Sequence, residues 1–267
     1  AGSSSGSTDA TGTSASFKNP RGITTDGTNL YVVTYQGLRI RKIVISTGAV
    51  TTLAGSSTWG STDATGTSAR FNGPIGITTD GTNLYVAEYG NHRIRKIVID
   101  NGTVTTLAGS SEGSTDATGT SASFNKPIGI TTDGTNLYVS DTNNHRIRKI
   151  VISTGAVTTL AGSSTQGHLD HNTGTSARFS APIGITTDGT NLYVADYINH
   201  RIRKIVISTG SVTTLAGGCE NVGWPCSSSG LAGGGSTDAT GTSASFKYPR
   251  GITTDGTNLY VADYGNH

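Results

Sequence analysis

Gly22-Ile23-Thr24-Thr25-Asp26-Gly27-Thr28-Asn29-Leu30-Tyr31-Val32 is the stretch that decides the fold, because the same eleven residues return unchanged at Gly76–Val86, Gly129–Val139, Gly184–Val194 and Gly251–Val261. The first four copies are spaced by 53 to 55 residues. That period is too long for the usual helical solenoids and suits four strands plus a long connector, so it predicts a ring of blades.

Working outward within the second copy, Phe71-Asn72-Gly73-Pro74 leads into a first strand over 75–79. Asp80-Gly81-Thr82-Asn83 reads as a hairpin turn, since Asp-Gly tolerates positive φ. A second strand follows over 84–88, a turn over 89–92, a third strand over 93–99, a hairpin turn at Asp100-Asn101-Gly102 and a fourth strand over 103–107. A connector of fifteen or so residues then leads to the next Phe. The inner strands carry apolar residues on both faces (Ile77, Leu84, Tyr85, Val86), as expected of a sheet packed between two similar sheets. Phe17, Phe71, Phe124, Phe179 and Phe246 open the copies, and Pro20, Pro74, Pro127, Pro182 and Pro249 follow three residues later. The Phe is expected to fill the wedge between blades, and the Pro to fix φ where no ladder donor is needed.

These residues resemble NHL repeats. The carrying pattern is Ala-x-Phe-x-x-Pro-x-Gly-Ile, then Asn-Leu-Tyr-Val-Ala-Asp, then Asn-His-Arg-Ile-Arg-Lys, then Val-Thr-Thr-Leu-Ala-Gly, with the Asn-His pair at Asn91-His92, Asn144-His145, Asn199-His200 and Asn266-His267. The resemblance implies an all-β propeller of four-stranded antiparallel blades, usually six and sometimes five. The expected blades are 17–55, 71–109, 124–162, 179–217 and a partial one over 246–267, with 218–235 inserted. Four repeats are complete and the fifth stops after two strands. Together with the lack of any Met, this leads us to expect a processed product, a piece of a longer chain whose ring is completed by further repeats or by another chain, or a designed repeat array. The family also implies little about activity, because related rings bind protein or RNA and a few are lyases or hydrolases.

Charged residues make up 13% of the chain and the net charge is +2, so no broad attraction to nucleic acid or anionic lipid is expected. No apolar run is long enough for membrane insertion. Twelve of the nineteen basic residues lie in Arg-Ile-Arg-Lys at 39–42, 93–96, 146–149 and 201–204. On a third strand near the outer wall, these are expected to cover apolar surface with their stems and to pair with carboxylates. Each repeat His follows an acid by four residues, giving Glu88 with His92, Asp141 with His145, Asp196 with His200 and Asp263 with His267. The first repeat has Thr34 and Leu38 instead, so acid and His are lost together. A structural hydrogen bond within each pair is the expectation. Asp9, Asp63, Asp116, Asp170 and Asp238, one per connector, read as turn caps rather than calcium ligands.

The copies differ in the turn after the second strand and in the connectors, which topology places at one end of each blade. Candidate binding residues there are Tyr35, Trp59, Tyr89, Thr142, His168, His171, Tyr197, Trp224 and Tyr264. Rigid aromatic side chains with a polar tip suit a protein or glycan partner. Cys219 and Cys226 sit in a polar Gly-rich loop, read as a local disulfide that implies an extracellular, cell-surface or periplasmic setting. No catalytic set, metal site or cofactor is expected. The metalloprotease-type motif His-Glu-x-x-His is absent from the sequence. A binding or scaffold module is the leading expectation. A structural spacer or assembly unit is the alternative, and a metal-dependent propeller lyase or hydrolase the weaker one.

Overall fold

The computed structural model describes residues 1–218 and 234–266. The first repeat forms β1 (Pro20–Thr25), β2 (Asn29–Thr34), β3 (Arg39–Val44) and β4 (Val50–Gly55). The second forms β5 (Pro74–Thr79), β6 (Asn83–Glu88), β7 (Arg93–Val98) and β8 (Val104–Ala108). The third forms β9 (Pro127–Thr132), β10 (Asn136–Asp141), β11 (Arg146–Val151) and β12 (Val157–Ala161). The fourth forms β13 (Pro182–Thr187), β14 (Asn191–Asp196), β15 (Arg201–Val206) and β16 (Val212–Ala216), and the fifth β17 (Pro249–Thr254) and β18 (Leu259–Asp263). They make four four-stranded sheets in chain order and one two-stranded sheet, built from antiparallel meanders.

The recurring eleven residues are explained by the bonds of the first hairpin. Asp26 N–H donates to Asn29 O at 3.3 Å, and Gly27 stands at φ 87, the positive φ that a primed turn needs at its first central residue. The Thr25 hydroxyl donates to Asn29 O at 2.8 Å and accepts from Gly27 N at 3.0 Å. Asp26 Oδ1 accepts from Thr28 N and Asn29 N, and Oδ2 accepts from the buried Tyr31 hydroxyl at 2.7 Å. Asp80 with Tyr85 and Asp188 with Tyr193 repeat the arrangement. Burial alone would push the Asp26 carboxyl up, but donors from Asn29, Tyr31 and Thr28 hold it well below the usual carboxylate range. Burial and the adjacent Asp26 push the Tyr31 phenol up in turn.

Two compact units make up the chain: Ala1–Thr135 with Val151–Val157, and Asn136–Ile150 with Thr158–His267. In the first unit, Tyr31, Val33, Ile40 and Ala54 of the first sheet meet Phe71, Ile77, Leu84 and Val86 of the second in one core. The second unit repeats that core except at Val33, whose place Ser140 takes, with Tyr138, Ile147 and Ala161 against Phe179, Ile185, Leu192 and Val194. Phe71 and Phe179 fill the wedge between consecutive sheets, as expected from the sequence. Burial comes from the neighbouring sheet. Ile77 is 7% exposed, whereas Ile23, with no preceding sheet in its unit, is 60% exposed. The first strands of consecutive sheets run close together. A Cβ on Gly22 or Gly76 would collide with the carbonyl of Ile75 or Ile128 in the next sheet, and one on Gly184 with that of Arg250. Only glycine fits this approach.

The connectors do more than span the gap between blades. Each of the first four doubles back along the outer strand of the blade that it precedes. Val50 N donates to Ala10 O at 2.8 Å and Gly12 N to Gly48 O at 2.9 Å, and Val104 N to Ala64 O and Gly66 N to Gly102 O repeat this one blade on. The open edge of β4 and of β8 is thereby partly paired, which removes a template for aggregation.

Candidate functional site

The second Arg of each Arg-Ile-Arg-Lys is the anchor of the blade, and it corrects the expected surface placement. Arg41, Arg95, Arg148 and Arg203 are fully buried, because the alternation of the strand turns them inward. Arg95 Nη2 contacts Asp63 Oδ1 at 2.5 Å and Nη1 contacts Glu88 Oε2 at 2.8 Å. Its guanidinium also donates to Thr62 O and Arg70 O and lies 5.1 Å from the centre of the Phe71 ring. Arg203 does the same with Asp170, Asp196, Leu169 O, Arg178 O and Phe179. Arg148 pairs with Asp141 at 2.7 Å. Arg41 has Asp9 but finds Thr34 where the other repeats carry an acid. Asp63 and Asp170 are therefore not simple turn caps. Each bonds the buried Arg and also accepts from the N–H of the outer strand, at Thr106 and Thr214.

Among the described residues the acids and histidines are structural but are not partners of each other, a correction to the expected pairing of Glu88 with His92, Asp141 with His145 and Asp196 with His200. Glu88 accepts from Asn72 N, from Asn91 Nδ2 and from Arg95, and Asp196 from Ser180 N, Asn199 Nδ2 and Arg203. Asp141 receives Asn144 and Arg148, and Asp263 receives Lys247 N and Asn266. Burial pushes Glu88 and Asp196 up, opposed by the Arg charge and by these donors. The histidines instead reach the next repeat. His92 Nδ1 accepts from Lys126 N at 3.2 Å, His145 from Ala181 N at 3.1 Å and His200 from Tyr248 N at 2.9 Å. Burial lowers the pKa of His145 and of His200, which favours the neutral acceptor form. His267 lies outside the described residues.

In three repeats the Asn of the Asn-His pair holds a connector. Asn91 Nδ2 donates to Gly60 O at 2.7 Å, while Gly60 N donates to Phe71 O at 3.1 Å. Asn199 and Phe179 hold Gly167 in the same way, and Asn266 and Phe246 hold Gly235. The residue before the held glycine changes from repeat to repeat. It is exposed Trp59, Glu112 and Gln166 in the second, third and fourth connectors. The sequence singled out Trp59 there, and the common frame behind the series emerges only from the structure.

Trp59 is 72% exposed. Tyr35 and Tyr89 are half-buried, with Arg21 5.6 Å and Lys126 5.3 Å from their ring centres. Tyr197 packs on Tyr248 with centres 5.0 Å apart, and Tyr264 is exposed with Arg250 5.1 Å away. Thr142 is a correction. It is 4% exposed and its hydroxyl donates to Pro182 O at 2.8 Å, so it presents nothing to a partner. His168 is half-buried, with its pKa lowered by burial and by the charges of Arg201 and Arg203. His171 is exposed and its Nδ1 accepts from Thr173 N at 2.9 Å. Asp170 between them is turned to Arg203 and Thr214, so these three do not converge. Trp224, Cys219 and Cys226 lie outside the described residues.

The sequence model described as the NHL repeat matches residues 124–150, one of the recurring units whose bonds are given above. The chain is an NHL-repeat β-propeller. NHL repeat-containing protein 2 of Bos taurus is 30% identical over 95% of this chain, which spans only 38% of that relative's own length. Among solved structures, a chain of a nidogen/laminin complex superposes with a TM-score of 0.62 at 19% identity, over 92% of this chain and 72% of its own. An auxiliary nutrient binding protein of Bacteroides thetaiotaomicron gives 0.59 at 17% identity, over 94% and 68%. At these identities the structural likeness shows the fold alone. No helix among the described residues is long and apolar enough to cross a membrane.

Proposed function

We propose that this NHL-repeat chain is an extracytoplasmic binding module that holds a protein partner at the connector end of its blades. The observation that carries this reading is Trp59, an exposed indole beside a glycine held by both Asn91 and the Phe71 backbone. A large apolar side chain on a fixed support loses little conformational freedom on binding, which is what an interface anchor needs. At the opposite end of each blade the Asp-Gly-Thr-Asn turns are identical, and the turns between third and fourth strands change only among small and polar residues. The large side chains that vary between copies therefore lie at the end with the anchor. The nidogen/laminin chain and the nutrient-binding protein, which share the fold, support a binding use. The extracytoplasmic setting rests on Cys219 and Cys226. A glycan partner is the competing outcome.

The test places a photo-crosslinking phenylalanine analogue at position 59, and separately at Thr28 in the uniform turn. Irradiation in cultures of the source organism is expected to give a protein adduct from position 59 and none from 28. Equal labelling from both positions, or no protein adduct from 59, overturns the reading.

A further inference from the structure

The connectors come in two kinds, distinguished by the residue before the opening Phe. In three of them this residue is Ser16, Ser123 or Ser245, each at most 6% exposed. Its hydroxyl accepts from the connector backbone at Thr8 N (2.9 Å), Thr115 N (2.8 Å) and Thr237 N (2.7 Å). In the other two it is Arg70 or Arg178. The stem of Arg70 lies along Gly60, where an added Cβ would stand 3.0 Å from its Cδ, and Arg178 lies along Gly167 at 3.1 Å. Arg70 is exposed, Arg178 is partly so, and among the described residues neither guanidinium has a hydrogen bond or ion pair. The carboxylates of the same connectors, Asp63 and Asp170, are engaged by Arg95 with Thr106 and by Arg203 with Thr214.

Among the described residues, the same two connectors carry the exposed large apolar side chains. Trp59 accompanies Arg70 and Leu169, 47% exposed, accompanies Arg178. The serine-type stretches 3–16, 110–123 and 234–245 contain no apolar residue larger than Ala, and Trp224 and Leu231, which precede the last of them, lie outside the described residues. Among the described residues, unpaired cation and exposed apolar group thus occur together twice, Trp59 directly before its held glycine and Leu169 two residues after its own.

We infer that each arginine-bearing connector takes an acidic peptide segment that carries an apolar side chain, the guanidinium receiving the carboxylate and Trp59 or Leu169 the apolar group. This rests on the binding-module reading and names the chemistry of its partner. A planar guanidinium accepts a carboxylate through two parallel hydrogen bonds. The pairing with Leu169 favours peptide over glycan, since a sugar face stacks on an aromatic ring and gains little from an aliphatic branch. Each site lies within one repeat and its connector, so one segment can occupy either alone.

The intact chain is tested on an array of immobilised random 15-residue peptides, in parallel with a glycan array. The expected result is a bound set enriched in Asp or Glu near Leu, Phe or Trp. Binding to that set should fall about tenfold in the R70A/R178A double variant, as for loss of charge-assisted contacts at an anchor. Both side chains stand outside the core, so its melting temperature should match that of the parent. Peptides bound without acidic enrichment, or with undiminished affinity for the double variant, overturn the inference and leave the binding module standing. An empty peptide array beside an occupied glycan array overturns it as well. Two empty arrays count against both.

Discussion

The imidazole of His92 accepts a hydrogen bond from the backbone N–H of Lys126, a residue of the next repeat held at φ 54. Ala181 at φ 48 and Tyr248 at φ 57 are held by His145 and His200 in the same way. A non-glycine residue in the left-handed region, directly before a proline, is strained by about 1 kcal/mol or more. The repeat with Leu38 in place of His is followed by Gly73, which adopts φ 59 without that strain. Histidine and a side-chain-bearing residue therefore go together across the seam, as do their replacements.

This seam gives the first prediction. His92→Leu should cost about 1–2 kcal/mol, because the Lys126 N–H loses its acceptor. Adding Lys126→Gly should recover part of the loss, whereas Lys126→Gly alone should change stability little. A double-mutant cycle by urea denaturation measures the coupling. Strictly additive effects would remove the relationship.

Acid should weaken the same seams. Burial lowers the pKa of His145 and of His200 relative to the unfolded chain, with Asp263 raising and Lys247 lowering His200 to a lesser degree. The unfolded state then binds more protons, so stability rises with pH across this window. The contribution is fully present above the ordinary histidine value of about 6.5 and is lost as pH falls through the folded value. Denaturation midpoints should be flat from pH 7 to 8 and should decline as the pH falls below about 6.5. Leu replacing both histidines, with Gly replacing Ala181 and Tyr248, should flatten that decline.

Arg95→Met should be among the most damaging single changes, at about 3–5 kcal/mol, because it strands the buried Glu88. Arg41→Met should cost less, since it strands no buried carboxylate: Arg41 bonds the half-exposed Asp9, which keeps Thr52, and the carbonyls of Ser16 and Thr8. Equal losses in the two variants would deny Glu88 the role given to it here. Chemical denaturation of the two proteins side by side provides the comparison.

Tyr85→Phe removes the donor that, with Asn83 and Thr82 and against the cost of burial, keeps the Asp80 carboxyl below its ordinary value. The expected loss at neutral pH is about 1–2 kcal/mol. A depressed carboxylate contributes stability above its unfolded value, and that contribution is lost as pH falls through the folded one. The variant should therefore lose less additional stability than the parent on acidification below about pH 4.

The sheets were legible because their signals are local. Asp26-Gly27 marks a turn, Leu30-Tyr31-Val32 a strand, and recurrence marks the stack. The burial of Arg95 was not legible, since Arg-Ile-Arg-Lys looks like an outer basic tract unless Phe71, Glu88 and Asp63 are known to surround it. Acid and His vanish together in the first repeat, which suggested a bond between them. In fact Glu88 works within its own blade and His92 works on the next. The pairing of Leu38 with Gly73 carried that information in the sequence, 35 residues apart, at a distance where no turn or strand rule applies. Among the candidate binding residues, exposure sorted Trp59 from Thr142, and exposure depends on neighbours that are remote in the chain.

The histidine seam also restricts how such a gene can be reshuffled. Near-identical units invite unequal recombination, and most exchanges between copies would leave every core contact unchanged. An exchange that set the Leu38 unit ahead of the one starting with Lys126 would strand that residue in its unfavourable conformation without its neighbour's help. Successful duplications should thus copy the histidine together with the residue that follows it in space, so that the order of repeats has a syntax although their cores are interchangeable.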